Sequence, residues 1–183
     1  MKKELIKNQQ GFTLIEILVV IGLIAILAAI VIIAINPARQ FAQGRNTQRT
    51  SNLNAILNAI GQRMADNKGV FDGTGIDGKV CPTLPSAAAT VPNAITPAVA
   101  ATLGAKDIAD AGAIDLSCLT PTYIPALPTD PKGGTYQWTS ATNYDTGYSV
   151  VQDNTSSGGG RVTVFAPNQE SALNLTNLLS VTR

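Results

Sequence analysis

Ile17–Ile35 reads ILVVIGLIAILAAIVIIAI, nineteen consecutive residues without a charged or polar side chain. At 1.5 Å per residue this is about 28 Å of helix, long enough to cross the hydrocarbon core of a bilayer. The apolar core of a secretory signal peptide is shorter and ends at a small-residue cleavage site, whereas this run continues into NPARQ. The segment is therefore expected to be retained as a membrane span. Three lysines precede it (Lys2, Lys3, Lys7) and three arginines follow it (Arg39, Arg45, Arg49), so charge bias barely discriminates its orientation.

The 183 residues suffice for one ordinary domain plus an appendage. Net charge is +1, which gives no general electrostatic case for nucleic acid or an acidic substrate. Histidine is absent, which excludes imidazole catalysis and removes most transition-metal ligand sets. Without a nucleophile motif the chain is read as a non-enzyme, and a signal-anchored enzyme is set aside. Cys81 and Cys118 have neither C-x-x-C spacing nor a histidine partner. Two readings survive, a disulfide in an oxidising compartment or two buried thiols, and export favours the disulfide.

The residues ahead of the span narrow the field. A short basic leader ends at Gly11, the apolar run opens at Phe12, and Thr13 and Glu16 are embedded in its first turn. MKKELIKNQQ-G-FTLIE resembles the class III signal of type IV pilins and type II secretion pseudopilins. The resemblance implies cleavage between Gly11 and Phe12 by a prepilin peptidase, N-methylation of Phe12, and polymerisation into a helical homo-oligomeric filament. It also implies an inner-membrane, single-pass precursor that meets a pilus or type II secretion assembly platform, and later an extracellular pilus or periplasmic pseudopilus. Glu16 gains a role on physical grounds too. A carboxylate in a membrane helix costs a few kcal/mol unless it meets a partner, and cleavage would create one, the ammonium of Phe12. Residues i and i+4 share a helix face, so the pair can meet within one chain or between neighbours, where it would set the subunits' axial register. The competing role for Glu16 is that of a helix-initiating acid at the positive end of the helix dipole.

The expected fold is α+β and type IV pilin-like. Residues 1–11 form the leader, 12–35 the membrane half of a long helix, 36–68 its amphipathic half, and 69–183 a globular head. Asn36-Pro37 either caps a new helix or kinks a continuing one, and a nearly continuous helix from Phe12 to Asn67 is expected. Gly22 and Gly44 lie within it as sites of close approach or unwinding. Leu53, Ile56, Leu57, Ile60 and Met64 form an apolar stripe for a small antiparallel sheet of three to four strands, and Lys68-Gly69 supplies the stop. Arg39, Arg45 and Arg49 are either a solvated face beside anionic headgroups or partners for acids on adjacent subunits.

In the head, Ile95–Asp110 is the best helical candidate. Thr135–Ser140, Gly147–Gln152 and Arg161–Phe165 read as a three-stranded meander with Gly158–Gly160 in a turn, and Leu173–Val181 reads as either a closing strand or a short helix. LPTDPKGGTYQW, Leu127–Trp138, resembles the region before the sheet in major pseudopilins, where a following loop holds calcium. Asp130, Asp145 and Asp153 are the available acids, but they lack the spacing of a calcium loop and ordinary turn chemistry explains them as well. No cofactor is assigned. Asn154 and Asn174 open glycan-acceptor patterns of the kind that arise by chance. The leading function is a type IV pilus subunit, with a major pseudopilin as the alternative and a DNA-binding competence pilin, disfavoured by the near-neutral charge, as the third.

Overall fold

The computed structural model describes residues 11–110, 112–132, 134–154, 160–170 and 173–183. Leader residues 1–10, most of the Gly158–Gly160 turn and part of the Asn154 pattern lie outside them. The chain divides into two units between Gln40 and Phe41.

The first unit holds helix α1, Leu14–Ile35, none of whose side chains is buried. It is long and apolar enough to cross a membrane. Helix α1 stops at Asn36, which adopts the left-handed conformation with φ 46°. Two causes meet there. The ring of Pro37 disfavours helical backbone at the residue before it, and asparagine tolerates the left-handed region. Asn36 then caps the next helix, α2 (Pro37–Asp66), its carbonyl accepting from Arg39 N at 3.1 Å, with Pro37 in the first helical position. The kinked, nearly continuous helix expected here is two helices separated by one residue, Asn36, and the first begins at Leu14, not Phe12.

In the second unit α2 buries Leu53, Ile56, Leu57 and Ile60, with Met64 packed at the edge. The stop falls where Lys68-Gly69 places it. Lys68 and Gly69 take positive φ, and Gly69 N donates to the Met64 carbonyl at 2.7 Å. A two-stranded ribbon follows, β1 (Gly73–Thr74) with β2 (Val80–Cys81). Helix α3 is only Pro97–Thr102, capped by the Thr96 hydroxyl. Gly104 turns the chain at φ 71° and Lys106–Ala109 becomes strand β3, so the predicted Ile95–Asp110 helix is half right.

Among the described residues the main sheet has five strands, one more than expected, all antiparallel: β3, β4 (Gln137–Ser140), β5 (Asn143–Asp153), β6 (Arg161–Ala166) and β7 (Leu179–Thr182). Asp145 pairs with Ala109 on one edge and Gln137 on the other, while Val150 pairs with Lys106 and Val164. Strands β4 and β6 therefore share one edge of β5, and β3 takes the other, so the three predicted strands do not make a simple meander. Of Leu173–Val181 only Leu179–Val181 is strand, opening β7, and the six residues before it form turns and bends. Both faces of the sheet are covered. Tyr148, Val150, Val162 and Val164 pack with the α2 stripe, while Val151 and Phe165 pack with Ile95, Leu103 and Leu178. Burial on both faces explains why β5 and β6 lack the apolar-polar alternation of a half-exposed strand. Gly147 sits at φ 71° under the Tyr136 ring, where an added Cβ would come 2.7 Å from Tyr136 Cγ.

Candidate functional site

The first site is the entry to α1. Gly11 and Phe12 are exposed and precede the helix, Thr13 is its N-cap, and Glu16 is its third residue. Glu16 Oε2 accepts from Thr13 N and from the Thr13 hydroxyl, both at 2.8 Å, and Glu16 N donates to Thr13 Oγ1 at 3.3 Å. This reciprocal capping box was legible as Thr-x-x-Glu before an apolar run. Because Phe12 lies outside the helix, it and Glu16 are not on a shared helical face in this chain. The partner that sequence reasoning missed is Thr13.

The second site joins α2 to two loops. Arg49 is fully buried and grips Asp130 with both arms, Nε to Oδ2 at 2.7 Å and Nη2 to Oδ1 at 2.8 Å. Its Nη1 donates to Asn46 Oδ1 at 2.7 Å and to Glu170 Oε1 at 3.2 Å, and Arg45 Nε reaches the same Glu170 oxygen at 2.6 Å. Alongside, Asn52 Nδ2 donates to the Thr129 carbonyl at 3.0 Å and to Tyr148 Oη at 2.9 Å. The Leu-Pro-Thr-Asp-Pro stretch is thereby fixed to the helix. Of the three arginines read as a solvated face or as intersubunit partners, Arg45 and Arg49 pair within their own head. Arg39 is exposed and has no side-chain partner among the described residues.

Burial of the Arg49 guanidinium opposes its charge, but Asp130 and Glu170 outweigh burial and raise its pKa. The Arg45 hydrogen bond, reinforced by Arg49 and outweighing partial burial, pulls the Glu170 carboxyl from its ordinary 4.5 down to about 2. A depressed carboxyl pKa contributes stability that is complete above the unfolded value and is lost as pH falls through the folded one. Replacing Glu170 by Gln is therefore expected to lower the melting temperature at neutral pH. That difference should close between pH 4.5 and about 2; a constant difference across the range would show that charge is not the cause.

Cys81 and Cys118 are joined in a disulfide. It ties β2 to the turn of 3-10 helix Ser117–Leu119, and both cysteines are buried in the main core. The three carboxylates considered for calcium go separate ways. Asp130 holds Arg49, Asp145 accepts from Gly147 N at 2.9 Å, and Asp153 accepts from Val91 N at 2.9 Å. Among the described residues no three His, Cys, Asp or Glu side chains group as a metal site.

Arg63 was passed over by sequence reasoning because it occupies the apolar face of α2. It is fully buried and donates to the carbonyls of Phe71 at 3.0 Å, Gly73 at 2.8 Å and Lys79 at 3.0 Å, locking the β1–β2 ribbon to the helix.

A family profile described as the prokaryotic N-terminal methylation motif matches residues 6–32. No curated protein and no solved structure matches the chain. The motif spans the end of the leader, Gly11, Phe12, Glu16 and most of α1, the same residues that carry the capping box. That motif is the hallmark of type IV pilins and pseudopilins, and its match at the head of a helix long and apolar enough to cross a membrane is consistent with a membrane-anchored precursor of that kind.

Proposed function

We propose that the chain is a structural subunit of a type IV pilus, cut between Gly11 and Phe12, methylated on Phe12, and built into the filament through α1. The supporting observation is an apolar helix with no buried side chain whose one charged residue, Glu16, sits in its first turn within the methylation motif. A helix so apolar and so uncovered takes its packing from lipid before assembly and from copies of itself afterwards. The peptidase and methyltransferase act on residues 11 and 12, and an inner-membrane assembly platform extrudes the processed chain. Residues 12–35 are the assembly half, residues 36–68 carry the head, and residues 69–183 face the outside. The disulfide-tied head supports an extracellular filament.

The pseudopilin reading rests on the LPTDPKGGTYQW stretch and is separated from the first by phenotype. Deleting the gene is expected to remove surface fibres while leaving protein secretion intact. In sheared fibres, mass spectrometry is expected to find a chain that starts at methylated Phe12. Secretion loss without fibre loss would assign the pseudopilus, and fibres made of chain that still carries its leader would overturn both readings.

A further inference from the structure

The bond that the proposed processing cuts, Gly11–Phe12, lies directly ahead of α1 in exposed, non-helical backbone, and Phe12 is 84% exposed. Thr13 follows with φ −79° and ψ 153°, extended like a strand residue. The first bond of the helix runs from Ile17 N to the Thr13 carbonyl at 3.4 Å. Phenylalanine and threonine both enter helices at modest cost, so residue preference alone does not stop α1 at this point.

The stop is made by the two side chains of the capping box. In a helix one turn longer, Glu16 N would donate to the Phe12 carbonyl, and Thr13 N to the carbonyl four residues before it. Both donors are already taken. Glu16 N donates to Thr13 Oγ1 at 3.3 Å, and Thr13 N donates to Glu16 Oε2 at 2.8 Å. Among the described residues none donates to the carbonyl of Gly11 or Phe12, so both remain open to an outside partner.

An enzyme that grips a peptide chain in extended form uses the backbone donors and acceptors that a helix would satisfy internally. A bond wound into a helix is then a substrate only for the fraction of time that its turn is open. Without the Thr13 hydroxyl, Glu16 N becomes an orphan donor at the end of an apolar helix, and the Phe12 carbonyl is the acceptor that helical geometry brings to it. That winding draws the Gly11–Phe12 bond into the helix.

We propose that Thr13 is a positioning residue for processing, whose cap stops α1 short of the Gly11–Phe12 bond and keeps that bond extended for the peptidase. The proposal rests on the pilin-precursor reading and adds to it a role for Thr13 that is separate from the role of Glu16 in assembly.

The test is cleavage of the full chain in detergent micelles by its prepilin peptidase, with kcat and KM measured apart. Thr13→Val keeps the shape of threonine and removes the cap. It is expected to raise KM about fivefold, equivalent to about 1 kcal/mol, with kcat unchanged, because only the extended fraction of the substrate falls. Thr13→Ser and Thr13→Asn cap well but differ from threonine in shape, and both are expected to be cut like the parental chain. Glu16→Gln preserves the box and is expected to be cut like the parental chain too. The α-carbon chemical shifts of Gly11 and Phe12 are expected to move toward helical values in T13V and to stay in place in T13N. Parental KM in T13V, a loss confined to kcat, or unmoved shifts in T13V each overturn the proposal. Slow cutting of T13N beside fast cutting of T13V overturns it as well, since that pattern belongs to a peptidase that reads side-chain shape. A parental chain left uncut after Gly11 overturns the pilin-precursor reading itself, and the role of Thr13 with it.

Discussion

Replacing Arg49 by alanine is expected to destabilise the head by about 3–5 kcal/mol, because it strands a buried carboxylate without its counter-charge. The argument turns on geometry. Both side chains of the Arg49–Asp130 pair are fully out of solvent, and the two are joined by two hydrogen bonds of 2.7 and 2.8 Å. Removing the guanidinium leaves Asp130, among the described residues, with only the backbone N–H of Lys132, at 2.9 Å, and strips Asn46 and Glu170 of a donor. The loss is measurable on the full chain in detergent by denaturant unfolding, followed through the fluorescence of the single tryptophan, Trp138. Asp130→Ala should cost a similar amount. Exchanging both partners for apolar residues of similar size, as in R49M/D130L, should recover much of the loss, since a buried ion pair is costly to break but adds little net stability over a packed apolar pair. If R49A unfolds at the parental denaturant midpoint, the pair is not holding the loop.

This pair also shows what the sequence could and could not disclose. The apolar stripe from Leu53 to Met64 was readable because its residue types match its periodicity. The same buried face continues backward through Arg49 and Asn46 and forward to Arg63, spaced as a helix requires but carrying polar side chains. A pattern judged by hydrophobicity assigns those arginines to solvent. Their partners, Asp130 and Glu170, are 81 and 121 residues away from Arg49, beyond any local signal. Strand residues were recognised by β-branched and aromatic content, but which edge each strand would take depends on pairings such as Asp145 with both Ala109 and Gln137. The sheet is buried on both faces, so alternation offered no register to read. Around Glu16 the situation is reversed. The residues that carried the pilin-like resemblance run from Gly11 to Glu16, and the missed Thr13 cap had a local signal in the same stretch, Thr-x-x-Glu.

Glu16→Val is expected to insert into the membrane normally and to abolish filaments, and Glu16→Gln separates the two reasons it might do so. In the uncleaved chain Glu16 acts as a cap. Both bonds from Thr13 fall on Oε2, and Oε1 accepts none among the described residues. Cleavage after Gly11 would convert the amide of Phe12 into an ammonium, four residues from the helix's own capping carboxylate and, on the filament reading, available to a neighbour's. Glutamine preserves the capping geometry, since the box accepts Glu or Gln at the third helical position. It removes the charge that an ammonium seeks in a low-dielectric surrounding, where such pairing matters most. If Glu16 serves only to start α1, E16Q should assemble like the parental chain and E16V should lose about 1 kcal/mol of helix-end stability. If it receives the new ammonium of another subunit, E16Q and E16V should fail alike, with the processed chain accumulating in the membrane. The latter outcome is expected here, because a polar side chain this close to lipid is retained at a cost that capping alone does not offset. Filaments of normal yield from E16Q would assign Glu16 to the cap and leave subunit register to other contacts.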